Sequence, residues 1–131
     1  MYANDVPLPV TGSWVPVTVF TDSVDTKGLD EDLVAGEFVV AAGADGVYAV
    51  DVAMGTSYPV GPAGWLEFAI TKNGALTPYK MPRNLTSGDQ GAFSIVGSGN
   101  LVSGDRIGLA VRASGNAAVD ITALQYRAIR V

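Results

Sequence analysis

Sixteen glycines and seven prolines, spread along the whole length, cut this chain into pieces too short for a helical pattern to develop. What develops between the breaks is alternation. Val15, Val17 and Val19 fall on one face of a first strand, and Tyr48, Val50, Val52 and Met54 form a second set. Leu66, Phe68 and Ile70 form a third, and Phe93 with Ile95 a shorter one. Ile107, Leu109 and Val111 are the clearest, with Arg106, Gly108, Ala110 and Arg112 on the opposite face. Val119 with Ile121 and then Leu124 with Tyr126 change parity near Ala123, which predicts a β-bulge.

Turn residues occupy the gaps: Gly43-Ala44-Asp45-Gly46, Asn73-Gly74, Ser87-Gly88-Asp89-Gln90-Gly91, Gly97-Ser98-Gly99-Asn100 and Ser114-Gly115-Asn116. Tyr58–Gly64 reads as a long loop. Many short strands at this spacing predict an all-β sandwich or jelly roll. Residues 1–12, with Pro7 and Pro9, read as an extended arm outside it, leaving residues 13–131 as the domain.

Composition narrows the chemistry. The 131 residues suit one domain with one sizeable core. Cysteine is absent, which excludes disulfides, thiolate nucleophiles and zinc–sulfur sites. Histidine is absent too, removing the usual general base and the commonest metal ligand. A net charge of −5 opposes binding to a phosphate backbone, so no nucleic-acid partner is expected. Apolar types make up 48% and charged types 16%, an excess more easily buried between subunits than inside one small core. No apolar run approaches the roughly twenty residues of a membrane helix, so no membrane partner is expected. The opening Met1-Tyr2-Ala3-Asn4-Asp5 lacks the basic and apolar regions of a signal peptide, and the chain reads as cytosolic in origin, viral or trimmed.

Three motifs recur in order: Gly46-Val47-Tyr48-Ala49-Val50 after a turn, Ile70-Thr71-Lys72-Asn73-Gly74 ending a strand, and Leu101 to Leu109 through Ser103-Gly104-Asp105 opening one. Trp14 to Phe20 followed by Asp25-Thr26-Lys27-Gly28 extends the pattern backwards, and Val119 to Val131 supplies a final strand. In this order the motifs resemble the globular head of complement C1q and the related tumour-necrosis-factor-like jelly rolls, over residues 13–131. The chain carries no Gly-X-Y stalk, and its last strand ends in Arg127-Ala128-Ile129-Arg130-Val131 where vertebrate members show a Phe-Gly pattern. Both departures point to bacterial or bacteriophage versions. The resemblance implies an antiparallel jelly-roll sandwich that assembles as a homotrimer, with Tyr48, Trp65, Tyr126 and Ile129 as interface candidates. Trp65 is the sharpest of these, because it falls opposite Leu66 and Phe68 on its strand.

Other groups carry weaker signals. Asp22, Asp25, Asp30, Glu31 and Asp32 crowd one region that reads as a solvated acidic loop, without the residue order of a dedicated calcium loop. Asp51 and Glu67 are expected to point outward rather than form a catalytic pair. Lys72 and Lys80 fall in loop contexts, and Asn84-Leu85-Thr86 is an incidental sequon. No catalytic residue, metal or cofactor is expected.

The sequence therefore predicts a non-enzymatic structural protein of a virion, a bacteriophage capsid decoration or fibre-head subunit that binds itself and a capsid or tail protein. The alternative is a secreted or cell-surface recognition domain binding protein or glycan. Val6, Pro7, Leu8, Pro9 and Val10 are the candidate attachment element, since prolines stiffen the segment and the apolar residues between them offer knobs to a groove.

Overall fold

The computed structural model describes residues 1–23, 27–114 and 118–131. Its ordered elements are all strands: β1 (Tyr2–Leu8), β2 (Val15–Pro16), β3 (Leu29–Asp32), β4 (Glu37–Val40), β5 (Gly46–Tyr58), β6 (Gly64–Lys72), β7 (Ala75–Leu85), β8 (Asp89–Leu101), β9 (Arg106–Ala113) and β10 (Val119–Arg130). They form two antiparallel sheets. Sheet I runs β1-β10-β5-β8, and sheet II runs β3-β4-β9-β6-β7 with β2 also paired to β9. Their inner faces enclose a single core, giving a β-sandwich.

The alternating sets of the sequence supply that core. Tyr48, Val50, Val52 and Met54 of β5 face inward, as do Leu66, Phe68 and Ile70 of β6 and Ile107, Leu109 and Val111 of β9. Each such side chain contributes about 1.5–3 kcal/mol by leaving water. The predicted bulge is present: β10 shifts register against β5 between Ile121 and Ala123. Asp5 of β1 answers it with a left-handed backbone, φ 48°, a conformation that Asp tolerates better than most residues. Both strands thereby change parity together, so that Ala3 stays opposite Leu124 and Val6 opposite Ile121, all turned to the core.

Four expectations need correcting. Residues 2–8 are not an arm outside the sandwich but its edge strand β1. Gly97-Ser98-Gly99-Asn100 is not a turn but part of β8, where the Gly97 position admits the Tyr79 ring: a Cβ there would meet Cδ2 at 2.7 Å. Lys72 closes β6 and Lys80 lies within β7, neither in a loop, and Asp30, Glu31 and Asp32 belong to β3. Asp25 and the Gly115-Asn116 turn fall outside the described residues.

One carboxylate fastens two turns together. Asn73 and Gly74 both take positive φ, 51° and 78°, and close the β6–β7 hairpin. The Asn73 side-chain amide donates to Asp105 Oδ1 at 2.9 Å, across to the turn that opens β9. Asp105 Oδ2 accepts the Val102 amide at 3.0 Å and lies 3.0 Å from Lys72 Nζ. The Asn73 amide bond comes first among the causes, then Val102 and Lys72, and together they hold the Asp105 carboxyl down at about 2.

A carboxyl depressed on folding stabilises the native state above its unfolded value, here 3.8, and that stabilisation fades as pH falls towards about 2. We expect Asp105→Asn to destabilise the protein at neutral pH by about 2 kcal/mol, the scale of lost charge-assisted hydrogen bonds. Urea titrations between pH 7 and 2 should show a shallower acid limb in this variant. An unchanged limb would contradict the assignment.

Candidate functional site

The structure spreads the four interface candidates over three levels of the sandwich. Tyr48 and Tyr126 are fully buried in the subunit's own core. The Tyr48 hydroxyl donates to the Ala44 carbonyl at 2.6 Å, and the Tyr126 hydroxyl to the Gly108 carbonyl at 3.1 Å, so neither has a group left to offer a neighbour. Burial pushes the Tyr126 phenol far up, with the negative charge of Glu37 adding to it, and the ring stays protonated. Ile129 is exposed on the outer face of sheet I, and Trp65 on the outer face of sheet II. The candidates thus do not form one patch.

The expected attachment element is likewise spent within the subunit. Leu8 and Val10 are buried, Val6 packs against the core, and only Pro7 and Pro9 stay exposed. Pro7 pairs with Asp120 on β10, and its missing amide donor costs little there because β1 is a sheet edge.

Two surfaces remain, and they differ in kind. The outer face of sheet I is made of small and uncharged side chains with few exceptions. Ala53, Gly55, Ala92 and Ala123 floor a shallow concavity of about 590 Å³, walled by Tyr2, Asn4 and Gln125. Beyond it lie Val47, Val96 and Ile129, exposed by 45%, 68% and 55%. Asp51 and Arg127 cross this face as an ion pair at 2.9 Å.

The strand that borders this face, β8, is also the least protected edge. Edges with free amides and carbonyls invite pairing, and proteins blunt them with proline, charge or brevity. β7 carries Pro78, Lys80, Pro82 and Arg83; β1 carries Asp5 and Pro7; β3 is only four residues long and holds Asp30, Glu31 and Asp32. β8 has none of these from Gln90 to Leu101.

The outer face of sheet II is charged and aromatic. Arg106 pairs with Asp32 and Glu37 across β9, β3 and β4. Arg112 pairs with Glu67 across β9 and β6, Nη2 to Oε2 at 2.7 Å. Its guanidinium carbon lies 4.8 Å from the Trp14 ring centroid and 5.4 Å from that of Trp65, and Lys80 Nζ lies 5.8 Å from Trp14. Glu67 and Asp51, expected outward, are indeed on outer faces, but on opposite sheets. The sequence does not single out Trp14 or Arg112, since only the pairing of β2 with β9 brings them together.

Among the described residues, no group of three or more acidic side chains is placed to hold a metal ion. The acidic segment is used locally: Asp22 accepts the Tyr2 hydroxyl at 2.8 Å, and Asp32 caps the β3–β4 turn through the Ala35 amide at 3.0 Å. Comparison with protein-family models and with curated proteins finds no match to this chain.

The open side of the sandwich, where β7 and β8 run past one another, is closed by Tyr79. Its ring covers Gly97 and its hydroxyl donates to the Ser98 carbonyl at 2.9 Å. Gly97→Val should overpack this seam and cost about 1–3 kcal/mol in chemical unfolding. In a Tyr79→Ala background the same change should cost markedly less, because the collision is gone. Equal costs in both backgrounds would show that the glycine serves something other than the ring.

Proposed function

We propose that this chain is a C1q- and tumour-necrosis-factor-like jelly roll that assembles as a homotrimer. We further propose that it serves as a non-enzymatic structural protein of a bacteriophage particle, a capsid decoration or fibre-head subunit. The jelly-roll reading draws support from the order of strand pairing. Setting aside the short β2 and β3, β1 pairs with β10, β4 with β9, β5 with β8 and β6 with β7. The first half of the chain thus pairs in reverse with the second, as a long antiparallel ribbon folded over itself does.

The observation that carries the assembly is the conjunction on sheet I. An edge strand without proline or charge of its own from Gln90 to Leu101, with its Ser98 and Asn100 carbonyls capped by Tyr79 and Lys72, borders a concave face of few charges with exposed Val47, Val96 and Ile129. An edge on one subunit and a concave face on the next make a heterologous contact, which closes into a three-membered ring when neighbours are related by a three-fold rotation. An obligate interface of this kind buries on the order of 2,000 Å² or more. Small side chains suit it because they let a neighbour approach the sheet closely. The virion role rests on the resemblance, whose departure in the last strand, Arg127-Ala128-Ile129-Arg130-Val131, points towards bacterial or bacteriophage members.

Light scattering at micromolar concentration should return three times the 13.5 kDa of one chain. Val96→Lys puts a charge on the exposed face of the open edge, where it leaves the subunit's own core untouched. It should weaken the trimer by about tenfold or more. A stable monomer before mutation would end the assembly reading. The role itself is tested by adding the purified protein to phage particles. Failure to add stoichiometrically, together with saturable binding to a soluble receptor, would instead support a recognition domain.

A further inference from the structure

We propose that the outer face of sheet II carries a saccharide site at Trp14, Trp65, Arg112 and Lys80, selective for sugars that bear a carboxylate. The site stands apart from the sheet I surface and does not depend on the proposed assembly.

The core does not need the two indoles. β6 fills the core with Leu66, Phe68 and Ile70, and Trp65 projects from the other side, 37% exposed. Trp14 is half-buried over the same outer face, within reach of both Arg112 on β9 and Lys80 on β7. Arg112 holds the pair in place. Glu67 accepts from its Nε at 2.8 Å and its Nη2 at 2.7 Å, so the guanidinium is fixed beside both rings. Aromatic rings ordered before binding lose little entropy when a ligand arrives.

Charge then selects the ligand. Arg112 is neutralised by Glu67, and Arg106 by Asp32 and Glu37. Among the described residues Lys80 has no carboxylate within salt-bridge distance, and its only assigned contact is with the Trp14 ring. An ammonium beside an indole, on a chain of net charge −5, is a local exception. A carboxylated pyranose matches it: the apolar C–H face of the ring lies on an indole, and the carboxylate reaches Lys80.

The same charges argue against a protein partner. Interface cores are depleted of charged groups, because covering ion pairs such as Arg106–Glu37 and Arg112–Glu67 removes their hydration. A sugar on the indoles covers far less of the face, leaves Arg106 with Asp32 and Glu37 in water, and offers hydroxyls to the edge of the Arg112–Glu67 pair that it meets.

Titrating the full chain with sialyllactose and with trigalacturonate, against lactose and methyl-esterified trigalacturonate, tests this by tryptophan fluorescence and calorimetry. At least one acid should saturate the signal in the millimolar range or below, about tenfold tighter than its neutral counterpart. Sialyllactose and trigalacturonate distinguish a terminal sialic acid from a uronic acid. Lys80→Gln should bring the acid down to the affinity of the neutral sugar, and Trp65→Ala should weaken both. Lys80→Gln should melt as the unmodified protein does, and Trp65→Ala, which removes a largely covered ring, should still be fully folded at the temperature of the titration. Absence of saturation by either acid, equal affinity for acid and neutral forms, or binding indifferent to both substitutions would overturn the proposal. So would a protein ligand captured through Trp65 and Lys80 without sugar binding.

Discussion

The hydrogen bond from the Tyr126 hydroxyl to the Gly108 carbonyl joins the two sheets at their centre. A phenol in the middle of an apolar core is tolerable only with an acceptor, and the acceptor here is main chain on the opposite sheet. The bond therefore fixes the spacing of the sheets at that level as well as satisfying a buried polar group. Phe38 and Phe20 pack against the same ring, with centroids 5.1 and 6.0 Å away. Gly108 must remain small for its own reason: a Cβ would come within 2.9 Å of Thr71 Oγ1 on the outer side. β9 is thus constrained on both faces, which is why its residues are buried almost throughout while the edge strands are not.

The strands that alternate cleanly are those whose two faces meet different surroundings. β5, with core on one side and the small-residue face on the other, could be read from Tyr48 to Met54 without the structure. The bulge near Ala123 was legible for the same reason, because a parity change has no other economical explanation in a strand. β7 was not legible. Most of its residues are exposed on both faces, and Pro78 and Pro82 read as loop punctuation, although an edge strand accommodates both. Gly97 misled in the opposite way. Glycine serves turns and close approaches alike, and only the position of Tyr79, nineteen residues from its carbonyl partner Ser98, separates the two uses.

The candidate residues show the same limit. Tyr48 and Tyr126 are interface candidates only through the trimeric resemblance, and the parity of Tyr48 with Val50 and Val52 already places it with aliphatic residues. Their hydroxyls are satisfied by carbonyls, and one of those lies on the far sheet, which no local pattern reveals. Pro7 and Pro9 suggested a detached arm, yet the burial of Ala3 and Leu8 comes from β10, more than a hundred residues away. Trp65 was legible as an outward residue from parity alone. Its setting was not, since Trp14, Arg112 and Glu67 reach it from β9, β6 and the segment before β2.

The segregation of the two outer faces follows from the cost of dehydrating charge. Ion pairs such as Arg106 with Glu37 and Asp32 are compatible with a sheet face that stays wet, where they add little stability but keep other chains off. Concentrating them on sheet II leaves sheet I a shallow concave face with few charges, Asp120 and the Asp51–Arg127 pair. That remaining pair neutralises itself, so covering it would remove water from a dipole rather than from two isolated charges. A face so arranged sits poorly as the final surface of a monomer, because it combines an open edge with the exposed side chains of Val96 and Ile129. The opposite face has every feature that keeps a surface soluble while still presenting two ordered indoles. On physical grounds the first is suited to be covered and the second to stay in contact with solvent.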